Sequence, residues 1–151
     1  MAAKSDTLEF ALLQFIFNAV ATNFPLGATN GSTSLWLGLM TADPTAAGST
    51  ASEGGYAAYT RVKTDRSTVA STGWSVSSGT STAAASVSPV TTLSFPQNTA
   101  TSTGTYTHAA VYTSSNVSSS GMLYYGTLTP SVNFSQNVTP QVTTGSSISE
   151  S

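Results

Sequence analysis

Few side chains in this sequence are able to act as acids, bases or nucleophiles. The chain of 151 residues has one histidine, His108, and no cysteine, which excludes thiol catalysis, disulfide bonds and thiolate metal sites. A serine nucleophile would need a base oriented by a third group, and His108 has no carboxylate near it in sequence. We therefore expect no catalytic residue, no metal site and no cofactor, and a protein that is not an enzyme.

The charged residues are concentrated in one short segment. Glu53, Arg61, Lys63, Asp65 and Arg66 lie within fourteen residues and form half of the chain's ten charges. Arg61, Lys63 and Asp65 would share one face of an extended strand. Such charges either protect a solvated edge strand from unwanted pairing or form a stripe that meets complementary charge on a partner. We take Arg61, Lys63, Asp65 and Arg66 as candidate interface residues.

The composition excludes two classes of partner. Four basic residues against six acidic ones give a net charge of −2, which cannot supply the basic footprint that a nucleic acid requires. No stretch reaches the 18 or so apolar residues needed to cross a membrane. Hydrophobic residues still make up 39% of the chain, so a packed core is expected, while 26 serines and 26 threonines suit solvated strand faces that carry no charge.

The elements that must position these residues begin with one helix, predicted over residues 6–23. Asp6 and Glu9 have the spacing of a capping box. At 100° per residue the helix is apolar over more than half its circumference, so two of its sides must be buried. One side is expected to pack on the β-domain of the same chain and the other on a second subunit or a partner. The candidate interface residues on the helix are Leu12, Phe15, Ile16 and Phe17.

From residue 34 onwards the hydrophobic pattern changes to a period of two. Leu35, Leu37 and Leu39 alternate with other residues, and Tyr106, His108, Ala110 and Tyr112 would share one strand face. Short strands separated by Gly, Pro, Asn and Ser indicate a mainly β protein, an antiparallel sandwich or barrel of jelly-roll-like type with one N-terminal α-helix. We expect a helix and connector over 1–33, a β-domain over 34–142 and a polar C-terminal tail over 143–151, within a single domain overall.

Several segments carry a resemblance to a known family. The segment 35–45, LWLGLMTADPT, resembles the "LxLALFTADPT" segment of small tailed-phage virion proteins. In that family an acidic, Gly-rich loop and a Tyr-x-Arg strand follow, which here are Glu53-Gly54-Gly55 and Tyr59-Thr60-Arg61. The segment 106–112 is similar to the family's "VTHxxIYD" strand, and 122–129, MLYYGTLT, is similar to its "LLYYGALT" strand. Thr113 stands where the family usually has an acid.

The resemblance implies a structural component of the phage particle, assembled in the bacterial host cytoplasm. We expect a capsid cement or decoration protein that stabilises the head shell through subunit contacts. Its partners would be the major capsid protein or tail proteins of the same virion, and the chain would form a homo-oligomer.

Two alternatives remain open: a tail-fibre or baseplate adaptor, and a carbohydrate-binding receptor module. The receptor module would need an exposed aromatic platform. Its candidate residues are Trp36, Trp74, Tyr106, Tyr112, Tyr124 and Tyr125.

Overall fold

The computed structural model of the chain describes residues 12–17, 34–44, 50, 52–66, 73–78, 85–117 and 121–149. Within these ranges the protein is mainly β, with one short helix at residues 12–17, which confirms the predicted fold class. The other residues of the predicted helix 6–23 lie outside the described ranges. The strands are β1 (Ser34–Met40), β2 (Val62–Asp65), β3 (Trp74–Ser77), β4 (Ser86–Pro89), β5 (Leu93–Ser94), β6 (Gly104–Tyr112), β7 (Met122–Phe134), β8 (Gln141–Val142) and β9 (Ser147–Ser149).

Seven of these strands form one antiparallel sheet. Their order is β2-β1-β6-β7-β9-β4-β3, and the sheet curves into a nearly closed barrel. Of the two predicted arrangements, sandwich or barrel, the chain therefore adopts the barrel-like one. The short strands β5 and β8 pair with each other in a second sheet.

The period of two in β1 places its side chains as predicted. Leu35, Leu37 and Leu39 are buried in the main core inside the barrel. Trp36 and Met40 belong to a smaller apolar cluster outside it. The main core is rich in aromatic rings. Tyr106 stacks on Phe134, Tyr59 stacks on Phe95, and Phe17 of the helix is buried in the same core.

Strand β6 does not present one continuous face. Its register with β7 shifts between Tyr106 and His108. Tyr106 consequently packs in the main core with Ala109 and Val111, whereas Ala110 and Tyr112 pack in the outer cluster. The prediction that Tyr106, His108, Ala110 and Tyr112 share a face is wrong, because the irregularity reverses the alternation within the strand.

The segment predicted as a polar tail, 143–151, contains a strand of the main sheet. Ser147–Ser149 form β9, which pairs with β7 on one side and β4 on the other. Ile148 is completely buried. The prediction of a tail is wrong because one apolar residue among serines and glycine gives almost no periodic signal, although neighbours on both sides stabilise the strand.

Candidate partner-binding surface

The helix residues predicted to contact a partner fall into two groups. Leu13 and Phe17 are buried in the core of the same chain, whereas Leu12, Phe15 and Ile16 are partly exposed. The Phe17 ring lies edge-on to Trp74, at 5.0 Å between centroids, and to Tyr124, at 5.6 Å. The expectation that Phe17 contacts a partner is therefore wrong.

Arg66 attaches the helix to the end of β2. Its Nε donates a hydrogen bond to the carbonyl oxygen of Ile16 at 2.7 Å, and Nη2 donates to the carbonyl oxygen of Phe15. The guanidinium carbon lies 5.5 Å from the centre of the Phe15 ring, within the range of a cation–π contact. Arg66 thus has an intramolecular function, which sequence spacing alone did not reveal.

Lys63 and Asp65 are exposed on β2, with 3.9 Å between Nζ and Oδ1. Thr64, which lies between them, points to the other side and is buried. These two residues are the part of the predicted charged stripe that remains accessible.

Arg61 does not belong to that stripe. It precedes β2, which begins at Val62, and its side chain is buried against Glu53. Nε lies 2.7 Å from Oε1 of Glu53, and Nη2 lies 2.8 Å from Oε2. This bidentate pairing neutralises both charges inside the protein, so the prediction of an exposed Arg61 is wrong.

The ion pair connects three parts of the chain. The Arg61 guanidinium lies 3.3 Å from the centre of the Tyr112 ring. It also donates to the carbonyl oxygens of Ser114, at 2.9 Å, and Val117, at 3.4 Å, in the loop that follows β6. We call Glu53, Arg61 and Tyr112 the ion-pair cluster. It holds the segment 53–61 and the β6–β7 loop against the outside of the sheet.

Two glycines, Gly38 and Gly54, shape the backbone around Glu53. A Cβ atom on Gly38 would lie 2.6 Å from Oε1 of Glu53 and 2.9 Å from the Tyr112 ring, so only glycine lets the carboxylate lie over β1. Gly54 follows Glu53 with φ of 82°, a conformation that glycine adopts without steric cost. An acid followed by two glycines, eight residues before an arginine, is the sequence signal that identifies this pair.

Tyr59 completes the polar contacts of Glu53. Its hydroxyl donates to Oε1 of Glu53 at 3.3 Å and accepts a hydrogen bond from the backbone N–H of Leu39 at 2.7 Å. Burial raises the pKa of Tyr59, and the negative charge of Glu53 raises it further. Burial is also the largest cause of the raised pKa of Tyr112; Glu53 raises it further and Arg61 lowers it. Both hydroxyls therefore remain protonated at neutral pH.

The predicted aromatic platform is mostly buried. Trp74, Tyr106, Tyr112 and Tyr124 are buried in the apolar clusters, so these four candidates could not form an exposed platform. Trp36 and Tyr125 are partly exposed.

Within the described ranges, no three acidic or histidine side chains are grouped as metal ligands would be. The helical part of those ranges contains nothing long and apolar enough to cross a membrane.

A comparison with protein families places the chain among phage fibre proteins. The family model described as "Podophage GP4 fiber I protein gp80" matches residues 3–149, which is nearly the whole sequence. The chain belongs to this family, and it is therefore a structural protein of the phage tail-fibre type and a component of the virion. A search of curated proteins gives no match.

Proposed function

We propose that the protein is a structural subunit of a tailed-phage fibre, which acts by assembly with other tail proteins and not by catalysis. The observation that carries this proposal is the match of a phage fibre family to residues 3–149. That match favours a fibre function over the capsid cement function expected from the sequence resemblance. Assembly would take place in the cytoplasm of the bacterial host.

The surface chemistry supports a structural function. Of the six charged residues in the described ranges, Glu53 and Arg61 neutralise each other inside the protein, and Arg66 binds the helix. Asp43, Lys63 and Asp65 are the exposed charged residues in those ranges. A surface made chiefly of serine and threonine side chains suits contacts between proteins that depend little on salt, because screening acts mainly on exposed charges.

The site chemistry gives no support to an enzymatic function. The buried carboxylate of Glu53 is engaged by Arg61 and Tyr59. His108 shares a hydrogen bond with the hydroxyl of its neighbour Thr107, at 2.9 Å. Among the described residues His108 has no carboxylate partner to orient it as a base towards a nucleophile, and Glu53 is held by an arginine.

The location and copy number of the protein in purified virions test the proposal. Quantitative mass spectrometry would measure its copies relative to the major capsid protein, and immunogold electron microscopy would locate it. We expect far fewer copies than the capsid protein and label confined to the tail. A copy number close to that of the capsid protein, with label over the whole head, would instead establish a cement or decoration protein.

A further inference from the structure

The described part of the chain exposes three large hydrophobic side chains, Val117, Leu123 and Val138. Two of them belong to the same hairpin, because Val117 lies in the β6–β7 loop and Leu123 lies at the start of β7. A hydrogen bond from Thr113 N–H to the carbonyl oxygen of Gly121, at 2.9 Å, closes that loop. Val138 lies in a different loop, where its carbonyl oxygen accepts a hydrogen bond from the backbone of Asn98.

Leu123 is exposed because of an irregularity in the sheet. Val111 pairs with Tyr124 and Tyr112 pairs with Met122, so Leu123 is one residue more than β6 can match. Bulges of this kind turn a side chain away from its regular direction and are treated as built features of a fold. Leu123 is 45% exposed as a result.

Leu123 follows Met122, one of three partly exposed apolar residues on the outside of the sheet. Trp36, Met122 and Tyr125 pack against the cluster outside the barrel, and the register aligns Trp36 with Tyr112 and Tyr112 with Met122 across three strands. We define the outer patch as Trp36, Val117, Met122, Leu123 and Tyr125.

The ion-pair cluster fixes the position of the outer patch through contacts of Arg61 with the β6–β7 loop and with Tyr112. Arg61 binds the carbonyl oxygens of Ser114 and Val117, and its guanidinium covers the Tyr112 ring that lies between Trp36 and Met122. A surface fixed in this way loses little conformational entropy when it binds.

Charges of both signs lie beside the patch. Lys63 is opposite Trp36 in the pairing of β2 with β1, and Asp65 is opposite Ser34. The side chains of Lys63 and Asp65 are 57% and 56% exposed, so each has room for a second partner. A strongly acidic or strongly basic protein would match only one of them. A second copy of this chain carries the same apolar patch and the same two charges, and about a two-fold axis each Lys63 would meet the other copy's Asp65.

We propose that the outer patch binds the outer patch of a second copy of this chain, with Lys63 and Asp65 paired between the copies. This inference rests on the proposed function of a fibre subunit that acts by assembly, and it names the surface used. Leu123 and Met122 form the apolar centre, and the two charged residues fix the orientation of one copy relative to the other.

Sedimentation equilibrium of the full chain over a range of concentrations tests the apolar centre. We expect the wild type to associate and Leu123→Asp to raise the dissociation constant at least about tenfold, as for a residue near the centre of an interface. Val138→Asp is the matched control, because Val138 is an exposed aliphatic residue outside the patch, and it should leave association unchanged. Circular dichroism would verify that both variants are folded.

A charge exchange tests the orientation. Lys63→Asp and Asp65→Lys should each prevent self-association, because each places like charges opposite each other. An equimolar mixture of the two variants should associate again, since every charged contact in the mixed pair is attractive.

Three results would overturn the proposal: a monomeric wild type, equal effects of Leu123→Asp and Val138→Asp, or a mixture of charge variants that does not associate. A monomeric wild type that binds glycans through Trp36 and Tyr125 would assign the patch to carbohydrate. The virion measurement is independent of this test. If the label lies on the tail but the purified chain is monomeric, this inference is wrong and the fibre function still stands. If the purified chain self-associates but is absent from the tail, the fibre function is wrong and the self-association still stands.

Discussion

At the scale of single residues, the most unusual feature is an ion pair removed from water. The side chains of Arg61 and Glu53 are 0% and 2% exposed. A buried pair often adds little net stability, because the loss of hydration offsets the attraction between the charges. Its value here is in fixing position, since the guanidinium binds a carboxylate, an aromatic ring and two loop carbonyls at once.

Glu53→Gln should lower the free energy of unfolding by about 3 kcal/mol, because it leaves the Arg61 charge buried and uncompensated. We expect a value near the lower end of the known range because the amide oxygen still accepts a hydrogen bond. Urea denaturation followed by tryptophan fluorescence would measure the change.

The exposed pair provides the control for that measurement. Asp65→Asn makes the same change from carboxylate to amide in the Lys63–Asp65 pair, whose side chains are more than half exposed. It should change the free energy of unfolding by only about 0–1 kcal/mol. Equal losses in the two variants would show that the burial of Glu53 does not matter.

At the scale of elements, β9 joins two parts of the main sheet. Among the described strands, β3 and β4 are connected to the rest of that sheet only through β9, which pairs with β4 and β7. It fits against β7 because Gly126 has no side chain. A Cβ atom there would lie 2.1 Å from the carbonyl oxygen of Ser149.

Gly126→Ala should therefore displace β9 and destabilise the protein by roughly 1–3 kcal/mol, the usual cost of overpacking. Gly145→Ala is a matched control, because the nearest atom to a Cβ atom at that position is 3.8 Å away. It should change stability by less than about 1 kcal/mol. Thermal unfolding of both variants would measure the difference, and a Gly126→Ala protein as stable as Gly145→Ala would contradict the close packing of β9.

Periodicity predicted some elements and missed others. Leu35, Leu37 and Leu39 alternate without interruption, so β1 and its buried face could be predicted from the sequence. The short strand around Ile148 could not, because its stability comes from neighbours distant in sequence. The irregularity after Tyr106 was also missed, since it depends on how β6 meets β7 and not on β6 alone.

The candidate partner-binding surface could also be predicted only in part. The clustering of charges in the sequence identified Lys63 and Asp65 as surface residues. It did not show that Arg61 is buried by its ion pair with Glu53. The strand pattern placed Arg61 on the same side as Lys63 and Asp65, where it does lie over Tyr112, but could not show that it is buried there against Glu53. The contact of Arg66 with the helix carbonyls joins segments about fifty residues apart, which no local pattern encodes.

At the scale of the whole molecule, buried tyrosines make stability sensitive to alkali. Burial raises the pKa of Tyr59, Tyr106 and Tyr112 above the ordinary value of 10.0. The folded chain therefore holds these protons more tightly than the unfolded chain does. The resulting stability is complete below pH 10 and is lost as the pH rises above it.

We predict that the free energy of unfolding falls above about pH 10 by up to roughly 1.4 kcal/mol per pH unit for each buried tyrosine. Urea denaturation at a series of pH values would measure the slope. An absorbance titration of the native protein should show fewer tyrosinates at pH 10 than the unfolded chain, in which about half of the six tyrosines are ionised at that pH. Ionisation of half of the six tyrosines at pH 10, with an intact near-ultraviolet circular dichroism spectrum, would contradict the prediction.

The central position of β9 also constrains how the protein is made. A ribosome releases β3 and β4 well before β9, yet those two strands have no place in the main sheet until β9 has paired with β7. In the nascent chain the β3–β4 hairpin therefore stays unpaired with the rest of the sheet until Ile148 has emerged from the ribosome. Until then the apolar side chains of Trp74 and Val87 are uncovered. The barrel consequently cannot be completed before Ile148 is synthesised, and a chain interrupted before Ile148 would expose the surfaces most prone to aggregation.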